Sequence, residues 1–174
     1  WPVLIAQLAW FMHWKKFLID KLIMEIRILK TKDISKSYID TINHNGTKKF
    51  ITFSKKLKKK INKTDLISYI KNTPINEKLY GIFENNTHKA NFKLTITYNK
   101  IFIGFLVFLK YQGTGLIKKS FSKILKLKEL KNAKSNKLYL GVNSKNKNAI
   151  RLYIALGFKK VSRSNKYMYL RFKN

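Results

Sequence analysis

Residues 138–161, LYLGVNSKNKNAIRLYIALGFKKV, constrain this chain more than any other stretch. The run Leu138-Tyr139-Leu140-Gly141-Val142 is short and apolar, as a buried strand is. Asn143 and Ser144 interrupt it and are residue types that cap a helix. From Asn148 the apolar residues Ala149, Ile150, Leu152, Tyr153 and Leu156 recur at helical spacing. Gly157 then stands where a helix ends in a left-handed residue, and Phe158 opens another strand. Strand, helix, glycine and strand in about two dozen residues belong to an α/β domain.

A second segment adds a chemical function. Ile101 to Leu109 is continuously apolar and is expected to be a strand covered on both faces. It runs into Lys110-Tyr111-Gln112-Gly113-Thr114-Gly115-Leu116-Ile117-Lys118-Lys119. A helix follows, with Phe121, Ile124, Leu125, Leu127 and Leu130 on its buried side. A glycine turn between a buried strand and a helix start favours anions. Its N–H groups are unpaired, glycine admits phosphate oxygens, and the helix dipole favours negative charge.

Together the two segments resemble the GNAT superfamily of N-acetyltransferases. The string N-A-x-x-L-Y-x-x-L-G-F, Asn148 to Phe158, is similar to that family's C-terminal motif. Gln112-x-x-Gly115-x-Ile117 is similar to its pyrophosphate motif Q/R-x-x-G-x-G/A. The last position departs from the pattern, and Ile117 is expected to add bulk near the cofactor. The resemblance implies a mixed, mostly antiparallel, splayed sheet with helices on both faces.

The rest of the chain fits that outline. Residues 25–30 alternate as a half-buried strand, and Asp33 is expected to cap a helix carrying Ile34, Tyr38, Ile39 and Ile42. Lys63 or Thr64 opens a second helix with Leu66, Ile67, Tyr69 and Ile70, which Pro74 ends. Strands are expected at residues 79–84, 90–98 and 101–109, joined by turns. Residues 158–161 and 167–172 make a closing hairpin. Ile26, Arg27, Leu29 and Asp33 fit I-R-x-L-x-x-x-D, similar to the start of relatives that acetylate ribosomal proteins or amino sugars. THKANFKL resembles the H-x-G-N-x-K-L stretch of relatives in surface-sugar pathways, with Ala90 in place of glycine.

Composition sets the remaining limits. The chain has 174 residues, which fits one domain, and no cysteine, which excludes disulfides, thiolate metal sites and a cysteine nucleophile. Three scattered histidines argue against a structural zinc. The formal net charge is +30, from 34 Lys and 4 Arg against 8 acids. Such charge attracts nucleic acid. The preponderance of Lys over Arg, with abundant Asn and Ile, instead suits drift in an AT-rich genome. Weak, salt-sensitive polyanion binding is expected on either reading. Residues 1–23 differ from the rest of the chain: fourteen mostly apolar residues precede Lys15 and Lys16. They are too short for a firm membrane span and lack the features of a signal peptide. An upstream remnant, a docking helix and a membrane-surface helix all fit, with the catalytic domain at residues 24–174. A cytoplasmic protein is the expectation.

The resemblance implies direct transfer of acetyl from acetyl-CoA to a primary amine, with no metal. Main-chain groups of Leu106, Val107 and Phe108, splayed from residues 140–142, would hold the pantetheine arm and the oxyanion. Gln112, Gly113, Thr114, Gly115, Leu116, Ile117 and Lys118, helped by Lys119, would hold the pyrophosphate. Asn148, with Asn143 at the end of the preceding strand, would contact the cofactor. Tyr153 matches the family's proton donor to the thiolate. Glu84 and His88 are the candidates for the base. The acceptor implied is an amino sugar, nucleotide-linked, in surface-polysaccharide synthesis. A ribosomal-protein N-terminus is the second enzyme reading, and a catalytically weak domain that binds RNA or the ribosome is the third.

Overall fold

A computed structural model describes residues 23–48, 60–131 and 137–173. Seven strands form one open sheet: β1 (Met24–Ile28), β2 (Glu77–Glu84), β3 (Thr87–Ile96), β4 (Ile101–Val107), β5 (Leu138–Asn143), β6 (Phe158–Arg163) and β7 (Tyr167–Phe172). Their spatial order is β1-β2-β3-β4-β5-β7-β6. Every neighbouring pair is antiparallel except β4 and β5, which are parallel. Four helices of eight or nine residues accompany it: α1 (Lys36–Asn43), α2 (Lys63–Lys71), α3 (Leu116–Ile124) and α4 (Lys147–Ala155). The apolar N-terminal run and the lysine-rich stretch at 49–59 lie outside the described residues. Among the described residues no helix is long and apolar enough to cross a membrane.

Alternation along the strands divides the molecule into two cores. On one face Ala90, Phe92 and Leu94 lie opposite Val107, Phe105 and Ile103. They pack with Leu116, Ile117, Phe121 and Ile124 of α3 and Tyr153 of α4. On the other face α1 and α2 bring Tyr38, Ile42 and Leu66 against Leu79 and Phe108. Phe92, Phe108 and Phe158 are at least 98% buried; a fully buried phenylalanine contributes about 1.5–3 kcal/mol. The β2–β3 turn is two residues, Asn85 and Asn86, both at positive φ, a conformation asparagine tolerates and a tight hairpin requires.

Local chemistry moves several expected boundaries. Ser35, not Asp33, caps α1, its hydroxyl accepting from the Tyr38 N–H at 3.2 Å. α2 opens at Lys63 behind a capping box between Asn62 and Asp65. Asn146, not Asn143 or Ser144, caps α4 by accepting from Ala149 N–H at 3.2 Å. Asn143 instead accepts from Lys145 N–H at 2.9 Å, forming the turn before the cap. α3 stops at Ile124, so Leu130 belongs to a separate single turn, Lys128–Lys131. β4 ends at Val107, where Leu109–Tyr111 turns as a short 3-10 helix. Among the described residues its second face is not closed over: Gly104 is exposed, and none of their atoms lies within 4 Å of where its Cβ would be.

Asp33 has a different task from the expected one. Its carboxylate, 6% exposed, accepts from Arg27 Nη1 and Nη2 at 2.7 and 2.8 Å and from Lys30 N–H at 2.8 Å. The Arg27 guanidinium lies 3.9 Å from the Phe83 ring centroid. The Arg27 bonds hold the Asp33 carboxyl below its usual range. A depressed carboxyl contributes stability that is complete above the unfolded value and disappears as pH falls through the folded one. Asp33→Asn should therefore cost about 1–3 kcal/mol near neutrality. In urea unfolding across pH, the gap between variant and parent should narrow as pH drops below about 4.

Candidate active site

The parallel junction between β4 and β5 is very short. Ile101 pairs with Leu138 and Phe102 with Tyr139, and no further pair follows. Beyond it the strands part, each held on its outer side: β4 by β3, β5 by β7. The Phe108 N–H donates to the Lys89 carbonyl at 3.0 Å, and Thr97 N–H to the Lys100 carbonyl at 2.8 Å. Bonded positions alternate in an antiparallel ladder, so the even-numbered residues of β4 turn their main chain toward β3. Phe105 and Val107 turn theirs toward the gap. Of the three residues expected there, Val107 alone has this orientation. Leu106 faces β3, and the Phe108 N–H is already bonded. Phe105 joins Val107 in the gap; counting back from the β3–β4 turn was the signal that could have found it.

The glycine turn closes the same end of β4. Gln112 Nε2 donates to the Val107 carbonyl at 3.1 Å, and Thr114 Oγ1 to the Tyr111 carbonyl at 2.8 Å. Gly113 and Gly115 have φ of 78° and 73°, and a Cβ on either would meet nothing within 4 Å. Both are exposed. Gly115 is the N-cap of α3, and the first bond within that helix is Lys119 N–H to Gly115 carbonyl at 3.0 Å. The N–H groups of Leu116, Ile117 and Lys118 therefore precede the helical ladder. Lys118 and Lys119 are exposed on this first turn. The result is an open concavity of main-chain donors at the positive end of a helix dipole.

Ile117 does not crowd this concavity. Its residue is 2% exposed and packs in the core with Phe121 and Ile124. The side chain expected to add bulk near the cofactor is directed into the core, because residues 117, 121 and 124 share one face of α3.

Across the gap, α4 carries Tyr153, 8% exposed, with its ring 6.1 Å from that of Phe105 and 6.1 Å from that of Phe158. Among the described residues its hydroxyl makes no hydrogen bond. Burial pushes that hydroxyl up to about 12, so it keeps its proton at neutral pH. Asn148 is exposed on the first turn of α4, and Asn143 is half-buried at the end of β5.

Neither expected base lies free at the gap. Glu84 is buried at the end of β2, two strands from β4, and is ion-paired with Lys89. His88 Nδ1 is 2.9 Å from the Asp33 carbonyl oxygen, and its Nε2 is 2.6 Å from Asn91 Oδ1. Its ring stacks on Phe83 at 4.6 Å. Burial lowers its pKa, so the imidazole is neutral. A neutral ring donates from one nitrogen only, whereas Asn91 Nδ2 is buried without a partner. Turning the Asn91 amide over resolves both: Nδ2 then donates to Nε2 while Nδ1–H donates to Asp33. β4 and β5 carry no carboxylate at all. Among the described residues no group of His, Asp and Glu is arranged for a metal.

No family model and no curated protein matches this sequence. Solved structures do. The PaiA N-acetyltransferase from Thermoplasma acidophilum, in complex with coenzyme A, superposes with a TM-score of 0.65 at 18% identity, over 87% of this chain and 99% of that one. PseH, the N-acetyltransferase of Campylobacter jejuni solved with acetyl coenzyme A, gives 0.58 at 17%, over 86% and 99%. The ribosomal-protein-S18-alanine N-acetyltransferase of Escherichia coli gives 0.55 at 16%, over 86% and 93%. This chain has the GNAT fold. The parted β4 and β5, the glycine turn and the helix bearing Tyr153 are thus parts of a GNAT architecture. The position of Ile117 in that fold gives a direct test. Ile117→Ala should destabilise the protein by about 2–5 kcal/mol in urea unfolding, while Lys118→Ala, one residue on, should change stability by less than about 0.5 kcal/mol.

Proposed function

We propose that this protein is an acetyl-CoA-dependent N-acetyltransferase. The observation that carries the reading is the early end of β4–β5 pairing beside an open glycine turn at the N-terminus of α3. Acetyl-CoA supplies the thioester acyl group. Residues 113–118 offer main-chain N–H groups to its pyrophosphate, with Lys118 and Lys119 adding charge. A Cβ-free approach at Gly113 and Gly115 fits that ligand. Gln112 fixes the turn to the strand end through the Val107 carbonyl. Val107 N–H and the Phe105 main chain serve the pantetheine arm and the carbonyl oxygen as it gains charge. Asn143 and Asn148 flank the other side. Tyr153, protonated and without an acceptor for its hydroxyl among the described residues, donates a proton to the departing sulfur. With Glu84 and His88 already engaged, the amine's proton leaves to water.

For the acceptor we favour a phosphorylated amine, a nucleotide-linked amino sugar in surface-polysaccharide synthesis. The side of the gap beside Gly104 and Gly141 carries no carboxylate on β4, β5, β6 or β7. Lys159 and Arg171 lie on it. Such surroundings suit an anionic acceptor better than a free polyamine.

Two substitutions separate the roles. Tyr153→Phe should lower kcat at least tenfold and leave acetyl-CoA affinity within about twofold, the pattern of a lost proton donor. Gly115→Val, forced to adopt a positive φ, should abolish acetyl-CoA binding. Turnover assays with a panel of amines and calorimetry on each variant read both. Normal acetyl-CoA binding by Gly115→Val would remove the pyrophosphate assignment.

A further inference from the structure

The half of the sheet formed by β4, β5, β7 and β6 has one face that no helix of the described residues covers. Register assigns its side chains. Phe102 lies beside Tyr139, Tyr139 beside Arg171, and Arg171 beside Lys159, in one row across four strands. At about 4.8 Å per strand this row is about 14 Å wide. The next row holds Gly104, Gly141 and Tyr169, and beyond it lie Asn143 and Tyr167. Gly104 and Gly141 are exposed. Tyr169 is 39% exposed and its ring lies over Gly141, 3.3 Å from where a Cβ would be. The Phe102 and Tyr139 rings are 5.9 Å apart.

Cations edge these rings. Lys100 Nζ is 5.4 Å from the Tyr139 ring centroid, and Lys166 Nζ is 5.8 Å from that of Tyr167. Arg171 Nε is buried and has no hydrogen-bond partner, and neither Arg171 nor Lys159 makes an ion pair among the described residues. The nearest acid in the row is Glu77, at its far end, already held by Lys93 at 2.8 Å and Thr95 at 3.3 Å. A set of aromatic rings on adjacent strands, bordered by unpaired cations and free of carboxylates, has the composition that single-stranded nucleic acid requires. The bases stack on rings, and the phosphates meet the cations. A lipid surface would ask for a protruding apolar edge, whereas here the rings lie among cations on a sheet face.

We propose that this open sheet face binds single-stranded RNA. Base stacking on Tyr139 and Tyr169 and phosphate contacts from Arg171, Lys159 and Lys100 carry the binding. The charge of +30 then acts locally, through this face, as well as by long-range attraction. None of these side chains belongs to the glycine turn or to Tyr153, but Lys159 and Arg171 are also the cations offered above to an anionic acceptor, so RNA and a nucleotide-linked acceptor meet on this face and the UDP arm below separates them.

The test is fluorescence anisotropy of a labelled single-stranded oligoadenylate with the full chain, across a salt series. Inorganic polyphosphate, UDP and anionic phosphatidylglycerol vesicles are the competitors. Tyr169→Ala should weaken RNA binding about tenfold, and Tyr169→Phe should leave it unchanged, because the ring does the stacking. Arg171→Gln should reduce the salt slope by about one. Circular dichroism shows that each variant is folded, and Ile154→Ala, an exposed side chain of α4 on the opposite side of the sheet, should bind as the parent does. Equal binding by Tyr169→Ala and the parent would overturn the proposal, and so would polyphosphate competing as well as RNA: the charge alone would then be acting. Displacement by UDP with no dependence on oligonucleotide length would replace it with an acceptor subsite. Displacement by vesicles alone would replace it with a lipid surface.

Discussion

Two residue pairs hold the two halves of this sheet together. Ile101–Leu138 and Phe102–Tyr139 are the whole of the β4–β5 ladder, so the remaining main-chain groups on the facing edges have no strand partner among the described residues. Buried or half-buried peptide groups do not stay unpaired without cost. A gap of this kind needs either water or an extended ligand with amide groups of its own. The sheet keeps the gap open because each half is pinned elsewhere. β4 pairs along its full length with β3, and β5 runs most of its length with β7. The helices reinforce this, α3 and α4 on one face and α1 and α2 on the other, with Thr41 Oγ1 accepting from the Leu109 N–H at 3.0 Å just past β4.

The same accounting explains the turn after β4. Gln112 occupies the one Val107 group, its carbonyl, that would otherwise face the gap as an acceptor. What remains around the opening is the Val107 N–H and the Phe105 main chain on the strand edge and, at the turn, a surplus of donors: the turn amides and the first three N–H groups of α3. Lysines 118 and 119 add to it. An anion with an amide-bearing arm matches that surplus, and a cationic ligand does not. On the opposite wall the Tyr153 hydroxyl keeps its proton, because burial pushes it up. Two acids of the other half of the sheet are committed to structure, Asp33 to Arg27 and Glu84 to Lys89.

The order of strands and helices was legible because apolar periodicity is dictated by burial, and both cores are large enough to impose it. The glycine turn was legible because positive φ at Gly113 and Gly115 is a requirement that few residues meet. The family motif was less informative than the helix period at Ile117. Spacing of four and three to Phe121 and Ile124 already placed that side chain inward, yet comparison with a G/A pattern suggested obstruction. Three features stayed hidden because they are set by tertiary contact. Asp33 looked like a cap until Arg27, from the neighbouring strand, claimed its carboxylate. Phe105 and Leu106 look alike in a run of nine apolar residues, and only pairing with β3 decides which faces the gap. The same run predicted cover on both sides of β4, while Gly104 marks the place where cover stops.

On the proposed function, the parted strands and the glycine turn together form an acetyl-CoA cleft. Calorimetric titration of the protein with acetyl-CoA, at moderate and at high salt, with ADP and an unrelated polyanion as controls, addresses it most directly. Saturable binding that survives high salt and exceeds both controls is the expected result, because much of the contact would be main-chain hydrogen bonding inside the gap. Binding that disappears with salt and is matched by the polyanion would contradict it, leaving the positive charge as the only source of affinity.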